Sequence, residues 1–133
     1  MKYTKIFFLF LVPVLLLHAC RKDFTMTQPA VVIPTGTVSF DSVILPILVT
    51  NCAKATCHVS GGHIPLLTSG NAYNQLTGLG YVPQDDTVEA NAKNSVLYKA
   101  ITSTSKPMPP SGPLTPTQLA QILAWIKQGS LKN

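Results

Sequence analysis

The stretch Asn51-Cys52-Ala53-Lys54-Ala55-Thr56-Cys57-His58 organises this chain. Two thiols and an imidazole fall within seven residues, and His58 directly follows the second Cys. An apolar stripe leads into the stretch. Phe40, Val43, Ile44, Ile47 and Leu48 stand at i, i+3, i+4, i+7 and i+8, the period of a helix with one buried face. Ser39 or Asp41 is placed to cap the start of that helix. Pro46 complicates it, because an interior Pro removes a hydrogen bond and kinks the helix. Either the helix kinks there or it begins later, with Pro46 in its first turn. On both readings the thiols are delivered from a helix end.

Grouped cysteines followed by His are what covalent attachment of haem c needs. The two thiols add to the haem vinyl groups as thioethers, and the adjacent imidazole is delivered to the iron. The common spacing is C-x-x-C-H; here four residues separate Cys52 from Cys57. The expected roles are Cys52 and Cys57 as cofactor-binding thioethers and His58 as proximal iron ligand.

The N-terminus reads as an export signal. Lys2 and Lys5 precede an apolar run of about 12 residues, Ile6 to Leu17, and a small residue, Ala19, precedes Cys20. Such a run is short for a spanning helix, which takes about 20 residues. Leu17-His18-Ala19-Cys20 resembles the lipobox of bacterial lipoproteins. The resemblance implies cleavage before Cys20 and lipid attachment to it; the alternative is an ordinary signal with a chance Cys. More than one acyl chain is what stable anchoring requires. Of the three Cys, this leaves Cys52 and Cys57 as a pair in an oxidising, extracytoplasmic compartment.

Residues 1–19 are thus read as signal peptide, 20–38 as a flexible tether and 39–133 as the folded domain. Without Lys2 and Lys5, eight basic residues face five acidic ones, a net of +3. That charge suits an acidic protein partner and is too weak and dispersed for nucleic acid. The tether contains Pro29 and Pro34 and shows no sustained apolar period. As a flexible chain it would span roughly 25 Å. Val31-Val32-Ile33 is the exception, readable as a short strand laid on the domain.

Beyond His58, Gly61 and Gly62 mark a loop that permits positive φ. A short helix is expected over 69–76, then a solvated loop with Asp85, Asp86 and Glu89. Asn94 is placed to cap a helix carrying Val96, Leu97, Tyr98 and Ile101. The last helix has the fullest signature: Thr115 as N-cap, Pro116 in the first turn and Gln118 as capping-box partner. Leu114 and Leu119 are placed for a hydrophobic staple. Leu119, Ile122, Leu123 and Ile126 repeat the helical stripe, and Gly129 ends it. The fold class is therefore all-α, a small bundle of about four helices with irregular loops. Such a core is marginal by size, and a bound haem would fill much of its interior.

A second iron ligand is sought among the remaining soft donors. Ser105-Lys106-Pro107-Met108-Pro109-Pro110 presents Met108 from a proline-stiffened, non-helical backbone. Met108 is expected as the distal iron ligand, since Met/His ligation is a c-type haem pattern. The alternative is a gap-filling core Met. Met26 lies in the tether and His18 in the signal. His63 is too close in sequence to His58 to reach the opposite haem face, and reads as an exposed loop residue.

Together, a helix, Cys52…Cys57-His58, Met108-Pro109-Pro110, Leu114-Thr115 and Ile122-Leu123-Ala124-Trp125-Ile126 resemble a small class I cytochrome c. The resemblance covers about residues 40–131. It implies that the first and last helices cross, with Phe40 or Ile44 meeting Ile122, Trp125 or Ile126. It also implies that Tyr98 and Trp125 line the haem or its propionates. The function implied is electron transfer between envelope redox proteins by a membrane-anchored carrier, not an enzyme, when Met108 fills the distal position; an open iron would instead bind a small ligand or peroxide. No paired carboxylates, Ser/His/Asp set or phosphate-binding Gly loop suggests catalysis.

Three other readings use the same residues. A Cys52–Cys57 disulfide would make the chain a stapled binding or structural module without haem. Cys52, Cys57, His58 and His63 would supply four N and S ligands to zinc, although consecutive ligands on one ion are awkward. Copper held by Cys, His and Met108 is the third.

Overall fold

The computed structural model describes residues 30–133. The expected signal, the lipid-bearing Cys20, Met26 and the first part of the tether lie outside the described residues. Among the described residues the fold is all-α and contains no strand. No helix among them is long and apolar enough to cross a membrane.

Ser39 starts the first helix, its hydroxyl accepting the Ser42 amide at 3.2 Å. The opening turn, Phe40–Ile44, is π-helical, and the Ile44 amide reaches back to the Ser39 carbonyl at 3.3 Å. Helix α1, Leu45–Asn51, continues from it with Pro46 in its first turn. Both readings of Pro46 thus hold in part. The apolar stripe runs from Phe40 to Leu48, while the backbone changes pitch just before the proline. The Pro46 ring crowds the carbonyl four residues back, and one wide turn relieves that crowding.

Helix α2 is Ala72–Gly78, later than expected because Thr68 to Asn71 form a turn. In that turn the Asn71 side-chain amide donates to the Thr68 hydroxyl at 3.0 Å. Helix α3, Glu89–Asn94, precedes the expected helix, which is α4, Val96–Thr102. Asn94 closes α3, and the cap of α4 is Ser95. Its hydroxyl donates to the Ala92 carbonyl (2.7 Å) and accepts the Tyr98 amide (3.2 Å). Glu89 belongs to a helix rather than a solvated loop, and it pairs with Lys93 and Lys127 at 2.7 and 2.8 Å.

Helix α5, Pro116–Lys127, begins with the full capping box. The Thr115 hydroxyl accepts the Gln118 amide (3.2 Å), and Gln118 Oε1 accepts the Thr115 amide (2.9 Å). Leu114 is buried, and Gly129 (φ +89°) turns the chain off the helix. Ile122, Trp125 and Ile126 form its buried face.

Phe40 and Trp125 meet with ring centroids 5.3 Å apart, so the first and last helices pack against each other. Tyr73 of α2 meets Phe40 edge-on at 5.1 Å. Asn133 closes this seam. Its side-chain carbonyl accepts the Phe40 amide (2.8 Å), and its backbone carbonyl accepts the Ser39 hydroxyl (2.7 Å) and Asp41 amide (3.1 Å). Those amides belong to a first turn and have no partner within the helix.

The domain starts earlier than residue 39. Val38 is buried, its amide donates to Gln128 Oε1 (2.8 Å), and Gln128 Nε2 donates to the Gly36 carbonyl (3.0 Å). Val32 donates its amide to the Thr117 hydroxyl at 3.4 Å, without forming a strand. The last residues of the expected tether are therefore laid against α5.

Candidate functional site

The helix-end placement of the thiols is observed: Cys52 caps the C-terminus of α1, its amide donating to the Leu48 carbonyl at 2.8 Å. From there the chain makes a closed ring of backbone bonds. The Cys52 carbonyl accepts the Lys54 amide (2.9 Å) and the His58 amide (3.2 Å), and the Lys54 carbonyl accepts the Cys57 amide (2.9 Å). Thr56 turns the chain back with φ +66°, a left-handed conformation that is an outlier for a β-branched residue. The four intervening residues thus return Cys57 and His58 to Cys52.

Both thiols are free, Cys52 buried and Cys57 half-buried. Burial pushes the Cys52 thiol up to about 11, and the neighbouring Cys57 adds to that rise. Cys52 is accordingly a neutral thiol at pH 7, not an exposed thiolate of the reactive kind.

His58 is oriented by a residue the sequence reading missed. Its Nδ1 lies 2.9 Å from the Pro65 carbonyl, a group that only accepts, so Nδ1 carries the proton. That tautomer leaves Nε2 as the lone-pair nitrogen, and Nε2 makes no hydrogen bond among the described residues. A ring N–H held by a backbone carbonyl is the usual support of a metal-ligating His. Residue type gives no signal for such an acceptor, since every residue has a carbonyl. The His58 carbonyl in turn accepts the Leu67 amide at 2.8 Å, so the loop is pinned on both sides of the imidazole.

The glycine doublet divides its work. Gly61 has φ +80°, as expected of a loop glycine. Gly62 is required for space, since a Cβ there would stand 2.0 Å from the Cys57 carbonyl oxygen. This close approach lets the His63 amide reach that same oxygen at 2.6 Å. The His63 side chain is exposed, as expected.

Met108 lies on a separate loop, tied to α4 by its amide, which donates to the Ala100 carbonyl at 3.2 Å. Pro109 beside it is buried, whereas Met108 is 40% exposed, which overturns the alternative of a gap-filling core Met. No hydrogen bond joins this loop to the Cys52–His58 ring among the described residues. The structure therefore assembles Cys52, Cys57 and His58 locally and presents Met108 from elsewhere in the fold.

Trp125 meets the expectation of a core aromatic. It is fully buried in the seam, and its indole N–H donates to the Leu131 carbonyl at 2.8 Å, so it has no donor left for a propionate. Tyr98 is half-buried against the core. Among the described residues no three His, Cys, Asp or Glu side chains form a metal-ion group, so the four zinc ligands are not gathered. A shallow cavity of about 140 Å³ lies between residues 34–38 and α5, away from the thiols and lined by Val43 and Gln121 among others.

No family model, curated protein or solved structure matches this chain. The chemistry of the donor set is what remains, and it fits haem c. Two unpaired thiols share one backbone-closed loop with an imidazole that has one nitrogen fixed and the other open.

Proposed function

We propose that this chain is an extracytoplasmic electron carrier, anchored by lipid at Cys20, with one covalently held haem c. Cys52 and Cys57 hold the haem, His58 is the proximal iron ligand and Met108 the distal one. When bound, the haem supplies one-electron iron chemistry. The observation that carries the reading is the His58 Nδ1 bond to the Pro65 carbonyl, beside two unpaired thiols. Nothing in a disulfide-stapled module would call for that orientation of the imidazole.

Each residue has a distinct task. Cys52 and Cys57 fix the cofactor to the end of α1, so its position follows the core. The Pro65 carbonyl keeps the His58 ring from rotating and leaves its other nitrogen free for the iron. The proline-braced backbone around Met108 holds a thioether outward at little conformational cost. The lipid keeps the carrier near a membrane, where envelope redox proteins are its partners.

Co-expression with a haem c maturation system, followed by a denaturing gel stained for haem, tests the attachment. Haem is expected to stay with the polypeptide and to be lost when Cys52 and Cys57 are both replaced by Ala. Haem that washes out of the native chain, or persists in the double variant, ends this reading.

A further inference from the structure

The four-residue gap between the cysteines calls for a physical basis of its own. In a flexible loop the two thiols and the imidazole would sample many separations, and attachment would have to select one. Here the loop is closed in the polypeptide itself. The His58 amide bonds the Cys52 carbonyl, the Cys57 amide bonds the Lys54 carbonyl, and the His63 amide bonds the Cys57 carbonyl. Two residues make that closure possible. Thr56 adopts φ +66°, and the reversal there brings Cys57 back toward Cys52. Gly62 packs so near the Cys57 carbonyl that any side chain would displace the peptide carrying both Cys57 and His58.

We propose that Thr56 and Gly62 are positioning residues that preset Cys52, Cys57 and His58 in a closed ring, so that the wider cysteine spacing presents its thiols as one site. This rests on the haem reading for its purpose but not for its geometry, which is a property of the haem-free chain. Neither residue touches the thiols through its side chain in this scheme; each acts on the course of the backbone. Non-Gly residues outside Asn and Asp reach the left-handed region only at a cost, and such strain persists where surrounding bonds over-determine it. Four backbone bonds do so here.

The test uses the full chain, reduced and free of haem, with phenylarsine oxide as probe. Its arsenic takes up two neighbouring thiols together, releasing one water, and holds a single thiol far less firmly. The chain contains one Trp, and buried Trp125 reports the core by its emission. The native chain is expected to bind one arsenical across Cys52 and Cys57. Gly62→Ala is expected to weaken that binding at least tenfold with Trp125 emission unchanged, and Thr56→Pro to do the same. Proline cannot adopt a positive φ, and no hydrogen bond of the Thr56 amide is lost among the described residues. Thr56→Gly, which reaches the same φ freely, is expected to stay within twofold of the native chain.

Equal arsenical affinity in Gly62→Ala and the native chain overturns the proposal. So does loss of the Trp125 signal in both Gly62→Ala and Thr56→Pro, because the ring is then inseparable from the core. A native chain that binds the arsenical tightly but never takes up haem defeats the haem reading and leaves the ring standing. A native chain that takes up haem, with variants that bind the arsenical equally well, does the reverse.

Discussion

The loop over residues 52–67 and the seam around Trp125 are both well ordered in their bonding, but by different means. In the loop most bonds run from backbone to backbone, and beyond the His58 Nδ1 bond its reactive groups are left over: two free thiols and an imidazole nitrogen without a partner among the described residues. In the seam the side chains themselves are consumed. Phe40, Tyr73 and Trp125 pack ring on ring, the indole N–H is spent on Leu131, and Asn133 caps the first turn. The difference separates stability from chemistry. A region whose side chains are used up in packing holds the fold, and a region held by its peptides keeps side chains for other work.

Substitutions in the seam should therefore move unfolding, and substitutions at the site should not. The largest effect is expected for Trp125→Ala, at about 3–5 kcal/mol lost in denaturant unfolding, as for other fully buried aromatics. Asn133→Ala removes the acceptor of the Phe40 amide and should cost about 1 kcal/mol, in the range of helix-cap deletions, read the same way. Ser130→Gly should go in the other direction, by about 1 kcal/mol. Ser130 holds φ +53° and a fully buried hydroxyl without a partner. Relief of both outweighs the extra freedom glycine has when unfolded. A Ser130→Gly chain that melts lower would mean that the hydroxyl is satisfied.

Met108→Ala sharpens the contrast from the site's side. In the haem-free chain it should change stability by less than about 0.5 kcal/mol, as for surface substitutions generally. In the haem-loaded chain it should abolish the weak near-red absorption of Met-ligated ferric haem, and a band left unchanged would remove Met108 from the iron. The smallest effect belongs to Glu89. Lys127 and then Lys93 hold its carboxyl down at about 2, from 4.5. A depressed carboxylate stabilises above its unfolded pKa, and that contribution fades as pH falls from about 4.5 to about 2. Acid unfolding of Glu89→Gln should lack this small dependence, and salt should suppress it in the native chain, because the pair is exposed.

How much of this was legible in the sequence depended on which atoms carry each feature. The start of α5 was readable because side chains make it: Thr115, Pro116 and Gln118 each identify themselves by type. The apolar stripe from Phe40 to Leu48 was readable for the same reason. The π turn before Pro46 was not, because it is an adjustment of pitch that leaves the side-chain period intact. Ser95 was masked by Asn94, an equally good cap one residue earlier, and only tertiary packing of Ala92 and Leu97 chooses between them. At the site, Cys52, Cys57 and His58 were nameable, while Pro65, Thr56 and Gly62 act through a carbonyl, a dihedral angle and a missing Cβ. Of these only the Gly61-Gly62 doublet leaves a trace, and a glycine's type does not tell freedom of φ, the role of Gly61, from room for a close approach, the role of Gly62. The true start of the domain leaves no local signal, because Gln128, far along the chain, is what binds Gly36 and Val38.

The bond between His58 and Cys52 spans six residues, whereas that between Phe40 and Asn133 spans 93. Loops of about ten residues close within roughly 10–100 ns. Closure entropy rises by about 0.6 kcal/mol for each doubling of length, so the seam starts about 2 kcal/mol behind the ring. The ring also needs no partner from the other end of the chain. In time, then, the thiols and the imidazole meet first and the aromatic seam closes last. On the proposed reading, a chain just delivered across a membrane would display its haem-attachment loop while most of the domain is still unfolded.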